Sequence, residues 1–345
     1  MELDREIGNT QGMEKRELAV IGAGPCGLAV GIAARTAGLD CVIFDKGCVV
    51  RGLTEYPTNM TFFSTADKLE IGNIPFIATG AHPTRQEALK YYRRVAGYFE
   101  LDVRQYQEVI EVDGAEGDFR IRTRSPSGKE RTYQAGAIVI ATGYFDSPNM
   151  LGVPGEDLPK VSHYYREAHP YHAQDVVVIG GANSAVEASL ELFRAGARVT
   201  LVHFGEGLDP RVKPWVLPDI RGRIESGEIV ARWRTRVVEI RPESVVLRSE
   251  DTGELSELEN DFVLALTGFR PDHGLLRSLG GRVDEATGVP IHDPTTMETT
   301  VPGVFLSGVV AAGYDANKIF IENGRDHGGQ IVTALERRGF GAANR

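Results

Sequence analysis

The chain contains 345 residues, carries a formal net charge of −10 and is 42% hydrophobic. This length accommodates two domains with separate cores, and the ordinary balance of apolar and charged residues gives no sign of disorder. An acidic chain is a poor general partner for nucleic acid or for an anionic membrane surface. Because no apolar run reaches the length of a membrane span, we expect neither nucleic acid nor a membrane as a partner.

The first 16 residues are charged and polar and lack the apolar core of a signal peptide. We therefore expect residues 1–16 to form an N-terminal tail and the cytoplasm to be the compartment. The chain has three cysteines, Cys26, Cys41 and Cys48. They form neither a C-x-x-C pair nor a zinc-binding spacing, so no metal site is predicted.

A dinucleotide-binding fingerprint follows the apolar run of residues 18–21. Residues 22–27 read Gly-Ala-Gly-Pro-Cys-Gly, a complete G-x-G-x-x-G between a predicted strand and a predicted helix. Asp45 closes the next predicted strand about 20 residues further on, as this fingerprint requires. The glycines permit a tight turn and a close approach of a pyrophosphate, and the helix start offers N–H groups. We predict an adenine-dinucleotide site in which Asp45 accepts hydrogen bonds from the ribose hydroxyls.

Cys26 lies inside this fingerprint, and two interpretations of it are open. At the first turn of a helix, N–H groups and the helix dipole lower the pKa of a thiol, which would make Cys26 a redox thiol. Alternatively, Cys26 is a small residue that packs beneath the pyrophosphate, far from the reacting end of an extended cofactor.

A second fingerprint follows the apolar strand of residues 176–179. Residues 180–185 read Gly-Gly-Ala-Asn-Ser-Ala, so Ala182 stands where the central glycine is expected. The next strand ends Val202-His203-Phe204, without a carboxylate for a free ribose 2′-hydroxyl. Arg211 and Lys213 follow and would suit a 2′-phosphate, although Glu206 is also near, so NADPH is favoured over NADH.

The two units predict an α/β fold of two Rossmann-like three-layer domains, the second inserted into the first. The expected first domain comprises residues 17–158 and 287–345, and the second comprises residues 159–286. Two dinucleotide sites imply two ligands that react with each other. The closing segment is predicted to contain a strand ending at Gly308 and a helix over residues 317–336, whose start would face the strand end.

Several dispersed motifs resemble the bacillithiol disulfide reductase family, a group of the low-molecular-weight thioredoxin reductase type. They are Gly-Pro-Cys-Gly at 24–27, Tyr-Pro-Thr at 56–58 with Thr-Phe-Phe-Ser at 61–64, Lys-Leu-Glu-Ile-Gly at 68–72, Lys-Pro-Trp at 213–215 and Ile-Phe-Ile-Glu-Asn-Gly-Arg at 319–325. The resemblance covers nearly all of the chain after residue 16. It implies FAD in the first domain and NADPH in the second.

Carried onto this chain, the resemblance and the fingerprints give two sets of site residues. The expected FAD site comprises Gly22, Gly24, Pro25, Cys26, Gly27, Asp45, Lys46, Thr61, Phe62, Ala141, Thr142, Gly143, Gly308, Val309, Asn317 and Ile319. The expected NADPH site comprises Gly180, Gly181, Ala182, Asn183, Ser184, Ala185, His203, Arg211, Lys213, Thr267 and Gly268.

Two departures from the family pattern affect the expected chemistry. Residues 183–189 and the rest of the NADPH domain contain no cysteine, so the C-x-x-C relay of thioredoxin reductases cannot operate here. Val309 also stands where related flavin reductases have an aspartate that bonds the flavin ribitol or phosphate, so backbone groups must replace that bond.

The implied activity is an NADPH-dependent flavin disulfide oxidoreductase that acts on a low-molecular-weight disulfide such as bacillithiol disulfide. Hydride would pass from NADPH to flavin N5 and electrons then to the disulfide, either directly or through Cys26 as the catalytic thiol. An NADPH:ferredoxin or flavodoxin oxidoreductase, a flavin monooxygenase and a non-enzymatic redox sensor remain alternatives. The expected partners are a small-molecule disulfide or a small redox protein, and a homo-oligomer, dimer or tetramer, is expected.

Overall fold

The structure, a computed structural model, describes residues 13–341. Most of the expected N-terminal tail therefore lies outside the described residues. Its end does not: residues 14–16 are already part of the first strand.

The described chain forms fifteen strands and eight α-helices. The strands are β1 (Glu14–Ile21), β2 (Cys41–Phe44), β3 (Asp102–Arg104), β4 (Glu108–Asp113), β5 (Phe119–Arg124), β6 (Glu130–Ile140), β7 (Val161–Ser162), β8 (Asp175–Ile179), β9 (Arg198–Val202), β10 (Val230–Arg232), β11 (Thr235–Ile240), β12 (Ser244–Ser249), β13 (Leu255–Glu259), β14 (Phe262–Ala265) and β15 (Val304–Leu306). The helices are α1 (Pro25–Thr36), α2 (Arg51–Thr54), α3 (Arg85–Tyr98), α4 (Asn183–Arg194), α5 (Leu217–Glu225), α6 (Gly274–Ser278), α7 (Ile321–Gly324) and α8 (His327–Glu336). Short 3-10 helices cover Ala66–Leu69, His169–Tyr171, Gly308–Ala312 and Ala316–Lys318.

The described chain divides into two compact units. The first unit comprises the residues up to Thr54 together with Thr61–Asp146 and Arg270 onward, and the second comprises Glu55–Met60 and Ser147–Phe269. An inserted second unit is what the sequence predicts, although the division falls earlier in the chain at both ends than the expected 159 and 287.

The first unit is built on a sheet in the order β3-β2-β1-β6-β5-β4, with β15 also paired to β6. The long strand β6 serves two purposes. Its first half pairs with β5 in antiparallel register, and its last residues pair with β15 in parallel register. Residues 18–21 of β1 are buried, as expected for a parallel strand covered on both faces.

The second unit has three layers, which follow from the alternation of side chains along its central strand β8. The parallel sheet has the order β10-β9-β8-β14-β7. Val176 and Val178 of β8 pack in one core with α4 and α5, whereas Val177 and Ile179 pack in a second core with the antiparallel sheet β11-β12-β13. The predicted Rossmann-like three-layer architecture is confirmed.

Within residues 13–341, no helix has the length and apolar character needed to cross a bilayer.

Candidate cofactor-binding sites

The first fingerprint forms the turn between β1 and α1, and its glycines have different roles. Gly22 has a φ of +113°, and a β-carbon there would lie 2.3 Å from the Ala141 carbonyl oxygen. A β-carbon on Gly27 would lie 1.9 Å from the Gly22 carbonyl oxygen. These two glycines are therefore required by the fold itself.

Gly24 differs, because a β-carbon there would meet no described atom within 4 Å. Its φ of −70° is one that any residue adopts. It is the N-cap of α1, Pro25 occupies the first turn, and none of the described side chains caps this helix. The close approach of a ligand gives a reason for glycine here beyond its suitability as an N-cap residue, and the uncapped N–H groups suit a phosphate. The loop therefore fits the pyrophosphate of a dinucleotide.

Asp45 follows β2 and bonds the fingerprint loop rather than standing apart from it. Its carboxylate accepts hydrogen bonds from the Ala23 N–H at 2.8 Å and from the Gly47 N–H at 2.7 Å. Burial raises the pKa of Asp45, although these two bonds oppose that effect. Each carboxylate oxygen has a second lone pair that can accept from a ribose hydroxyl, and the predicted contact with the ribose stays a prediction.

The neighbouring residue Lys46 pairs with Asp146 at 3.0 Å, and Arg51 pairs with the same carboxylate. Asp146 follows the strand end at residues 141–143. The salt bridges therefore connect the segment after β2 with the segment after β6, which are the two segments expected to border the FAD. Sequence reasoning did not identify Arg51 or Asp146, since only the fold brings them together.

The strand end at Ala141, Thr142 and Gly143 lies beside the fingerprint. The Ala141 N–H donates to the Ile21 carbonyl at 2.8 Å, and Gly143 has a φ of +71°. Thr61 and Phe62 differ in exposure. Thr61 is exposed, whereas Phe62 is buried and its N–H donates to the Pro83 carbonyl at 2.8 Å. Phe62 therefore packs in the first unit. Its contact with FAD stays a prediction.

The prediction of one continuous helix over residues 317–336 is wrong, because this segment forms three separate helices. Asn317 belongs to a separate 3-10 helix, and the chain at Ile319 is extended before α7 and α8. The cause is Asn323, whose side chain accepts from the Phe320 N–H at 2.7 Å and donates to the Lys318 carbonyl at 3.0 Å. These bonds replace the helical ones at this point.

Cys26 is enclosed by two glycines from the closing segment. A β-carbon on Gly324 would lie 2.8 Å from the Cys26 sulfur, and one on Gly308 would lie 3.0 Å from it. The residue as a whole is half-buried, but burial of the thiol and, to a smaller extent, the nearby charge of Asp326 together raise its pKa to about 12. This shift is opposite to the lowered pKa that the redox-thiol interpretation requires, because loss of water around the sulfur disfavours the thiolate. Val309 follows Gly308 in the 3-10 helix.

The second fingerprint forms the turn between β8 and α4. Gly180 has a φ of +144°, and a β-carbon there would lie 2.5 Å from the Leu266 carbonyl oxygen. The ring of His203 covers Gly181, where a β-carbon would lie 2.7 Å from it. Ala182 is the N-cap of α4, as Gly24 is of α1. Its methyl group therefore takes the direction that is open at Gly24, and Asn183, Ser184 and Ala185 begin the helix.

The loop after β9 is attached to this fingerprint. The Asp209 N–H donates to the Gly181 carbonyl at 2.9 Å. Asn183 accepts from the Lys213 N–H at 2.8 Å and donates to the Arg211 carbonyl at 3.2 Å. The structure thus brings the predicted 2′-phosphate residues to the second nucleotide loop, and the side chain of Asn183 is what holds them there.

Both predicted cations already have acidic partners. The Arg211 guanidinium donates to Asp209 through Nε at 3.0 Å and through Nη2 at 2.8 Å. This pairing holds the pKa of Asp209 at about 2. Lys213 Nζ lies 2.6 Å from Glu187. A 2′-phosphate would therefore compete with these carboxylates for the cations.

Thr267 and Gly268 lie near the end of the second unit, where the chain pairs with the segment that enters this unit at Ser147. Asn149 donates through its side chain to the Thr267 carbonyl at 3.1 Å and through its N–H to the Gly268 carbonyl at 2.9 Å. The Thr267 hydroxyl returns a bond to the Asn149 carbonyl at 2.6 Å. Asn149 was not identified from the sequence, because an asparagine in a Pro- and Gly-rich connector has no distinguishing pattern.

Comparison with known proteins agrees with this geometry. Residues 19–308 match the family model described as pyridine nucleotide-disulphide oxidoreductase. The chain is 45% identical over 327 residues to bacilliredoxin reductase Bdr of Bacillus subtilis, covering 94% of this chain and 99% of the relative.

Two solved structures are similar over the same extent. The bacillithiol disulfide reductase Bdr from Bacillus cereus has a TM-score of 0.91 at 42% identity, covering 94% of this chain and 100% of that one. The enzyme of the same name from Staphylococcus aureus has a TM-score of 0.89 at 41% identity, covering 94% and 99%. The chain therefore belongs to the pyridine nucleotide-disulphide oxidoreductase family and, within it, to the bacilliredoxin reductase group.

Proposed function

We propose that this protein is an FAD-containing, NADPH-dependent reductase of a low-molecular-weight thiol disulfide of the bacillithiol disulfide class. The balanced reaction is NADPH, one proton and a disulfide giving NADP⁺ and two thiols. Bound FAD would supply a two-electron carrier between the nicotinamide and the disulfide. The names of the relatives that share 41–45% identity with this chain support the substrate class.

The observation that carries the proposal is a pair of nucleotide loops without an accessible dithiol. Each unit has its own strand-turn-helix loop with an uncapped helix start. The three cysteines are unpaired thiols, and none lies in the second unit. A reductase with this set of residues has no protein dithiol in the second unit through which to pass electrons, so the disulfide would take its electrons from the FAD directly or through the single thiol of Cys26.

The chain's own residues have binding roles in this scheme. The turn at Gly22–Gly27 and the start of α1 would hold the FAD pyrophosphate, with Asp45 toward the ribose. The turn at 180–185 and the loop that carries Arg211 and Lys213 would hold NADPH. A catalytic role for Cys26 through a mixed disulfide remains a hypothesis, and the burial of its sulfur weighs against it.

The oligomeric state and the cellular compartment also remain proposals. A homo-oligomer, dimer or tetramer, and the cytoplasm as compartment are what we expect of such a reductase. Size-exclusion chromatography with light scattering measures the first directly.

Anaerobic stopped-flow spectroscopy tests the proposed reaction. The purified holoprotein is reduced with one equivalent of NADPH, and the flavin absorbance is followed after mixing with bacillithiol disulfide, with other small disulfides, or with a ferredoxin. We expect rapid reoxidation by a small disulfide and slow reoxidation by ferredoxin. Rapid reoxidation by ferredoxin and by none of the disulfides would establish the NADPH:ferredoxin oxidoreductase alternative instead.

A further inference from the structure

His327, the first residue of α8, makes an unusual contact with the strand end. The Gly308 N–H donates a hydrogen bond to His327 Nδ1 at 3.1 Å. A backbone N–H can only donate, so Nδ1 must present its lone pair. The imidazole is therefore neutral and carries its proton on Nε2.

The partner of this bond, Gly308, is the first residue after the Ser307 N-cap of the 3-10 helix and has a φ of +77°. A β-carbon on Gly308 would lie 2.9 Å from the β-carbon of Cys26 in the fingerprint helix. The turn at residues 308–309 therefore lies directly against the first turn of α1. Any shift of this turn would be transmitted to the helix start that is expected to hold the FAD pyrophosphate.

The histidine itself is also packed against α1. A β-carbon on Gly328, the next residue, would lie 2.9 Å from the Ala29 carbonyl oxygen. The start of α8 cannot move away from Gly308 without leaving α1. The imidazole consequently forms a short bridge between two segments that both contact the fingerprint helix.

The surroundings keep this imidazole neutral. Burial lowers the pKa of His327 below its ordinary value of 6.5, His292 lowers it further, and Asp326 partly opposes both. Protonation would place an N–H on Nδ1 that faces the Gly308 N–H. The hydrogen bond would be lost and the two N–H groups would repel each other. The folded protein resists protonation of His327 more than the unfolded chain does. The stability that the neutral imidazole contributes is therefore present at neutral pH and is lost as the pH falls below 6.5.

We propose that His327 is a positioning residue of the FAD site, whose neutral imidazole holds the Gly308 turn against the fingerprint helix and releases it on protonation. The inference rests on the proposed function only in requiring that the first unit binds FAD.

The test measures the rate at which the holoprotein releases FAD, from the rise in flavin fluorescence, between pH 5 and pH 8. His327→Asn places Oδ1 close to the position of Nδ1, accepts the same bond and cannot be protonated. His327→Leu cannot accept the bond. His273→Asn is the matched control, since His273 is another buried histidine of the first unit whose pKa burial lowers.

We expect wild type to release FAD faster at pH 5 than at pH 8. His327→Leu should release FAD roughly 3- to 10-fold faster than wild type at pH 8, the size expected for one hydrogen bond. His327→Asn should match wild type at pH 8 and lose the acceleration at pH 5, and His273→Asn should behave as wild type throughout.

Wild-type release rates for His327→Leu at pH 8, or an acid acceleration that persists in His327→Asn, would overturn the inference. If His327→Leu does not fold, the comparison of His327→Asn with wild type still decides it. A wild-type protein that binds no FAD at any pH would instead refute the proposed function, so the two failures are distinguishable.

Discussion

Cys26 and Gly324 pack so closely that a β-carbon on Gly324 would lie 2.8 Å from the cysteine sulfur. The sulfur lies on the side of α1 that faces the closing segment of the chain, where Gly308 also contacts it. This arrangement explains why a cysteine can stand in the fingerprint: it fills the space between the first turn of α1 and two glycines. The same arrangement gives the first two predictions.

Replacement of Cys26 should leave catalysis largely intact. Because the pKa of the thiol is raised to about 12, it is protonated at neutral pH and is a poor nucleophile. We expect Cys26→Ser and Cys26→Ala to keep kcat/KM for the disulfide within about threefold of wild type, as for a residue that touches no reacting atom. The measurement is steady-state turnover normalised to bound FAD. A loss of a hundredfold or more at full FAD content would make Cys26 catalytic after all.

Gly324→Ala should destabilise the protein through the cysteine. The added methyl group meets the Cys26 sulfur, with Gly308 and Ile319 also within 3.2 Å, and overpacking of this kind costs about 1–3 kcal/mol. In the double variant with Cys26→Ala the sulfur is gone, so the two effects should couple by at least about 0.5 kcal/mol. Chemical unfolding of the four proteins measures this.

Gly329→Ala is the matched control for that cycle. Gly329 lies in α8, and a β-carbon there would meet no described atom within 4 Å. Alanine in an exposed helix is favoured over glycine by up to about 1 kcal/mol. If Gly324→Ala lowers the free energy of unfolding equally with and without the Cys26 sulfur, then Gly308 and Ile319 cause the strain.

The parts of this fold that the sequence predicts are those that local residues determine. The apolar run before Gly22, the glycine turn and the helix after it require one another within a few residues. The continuity of residues 317–336 was mispredicted because the side-chain bonds of Asn323 compete with the helix, and periodicity does not register them.

The parts of the site that escaped prediction depend on contacts between distant segments. The burial of Cys26 comes from Gly308 and Gly324, which sequence spacing cannot place beside it. The Gly308–His327 bond is of the same kind. Arg211 and Lys213 lie near the second loop, and their contact with a 2′-phosphate stays a prediction, but their pairing with Asp209 and Glu187 is visible only in the structure.

Gly24→Ala should separate the ligand requirement of the first fingerprint from its folding requirement. Its β-carbon direction is open in the protein, so we expect the thermal unfolding of the apoprotein to be unchanged. The methyl group would occupy the space of the pyrophosphate, and the Kd for FAD should rise by at least about tenfold. Isothermal titration of the apoprotein with FAD measures it.

Gly27→Ala provides the contrast for this experiment. A β-carbon there would lie 1.9 Å from the Gly22 carbonyl oxygen, so this variant should lower the stability of the apoprotein before any ligand is added. Unchanged FAD affinity in Gly24→Ala would mean that the pyrophosphate does not approach the loop at this residue.

Arg211→Gln should reduce the preference for NADPH over NADH. Arg211 is held at the second nucleotide loop by Asn183, and its side chain is 66% exposed. A charged hydrogen bond from Arg211 to a 2′-phosphate is worth about 1.5–3 kcal/mol. When wild type binds NADPH, part of this free energy offsets the loss of the pair between Arg211 and Asp209. We therefore expect the KM for NADPH to rise by about tenfold, with the KM for NADH nearly unchanged because NADH has no 2′-phosphate.

Arg198→Gln is the control that decides the interpretation of Arg211→Gln. Arg198 pairs with Asp175 and its side chain is 61% exposed, much as Arg211 pairs with Asp209. Asp175, however, begins β8, whereas the nucleotide loop follows the other end of that strand. A general effect of removing one surface charge would raise the KM for NADPH equally in both variants. A rise confined to Arg211→Gln, and reduced at high salt as screening weakens the contact in wild type, would assign the 2′-phosphate to this residue.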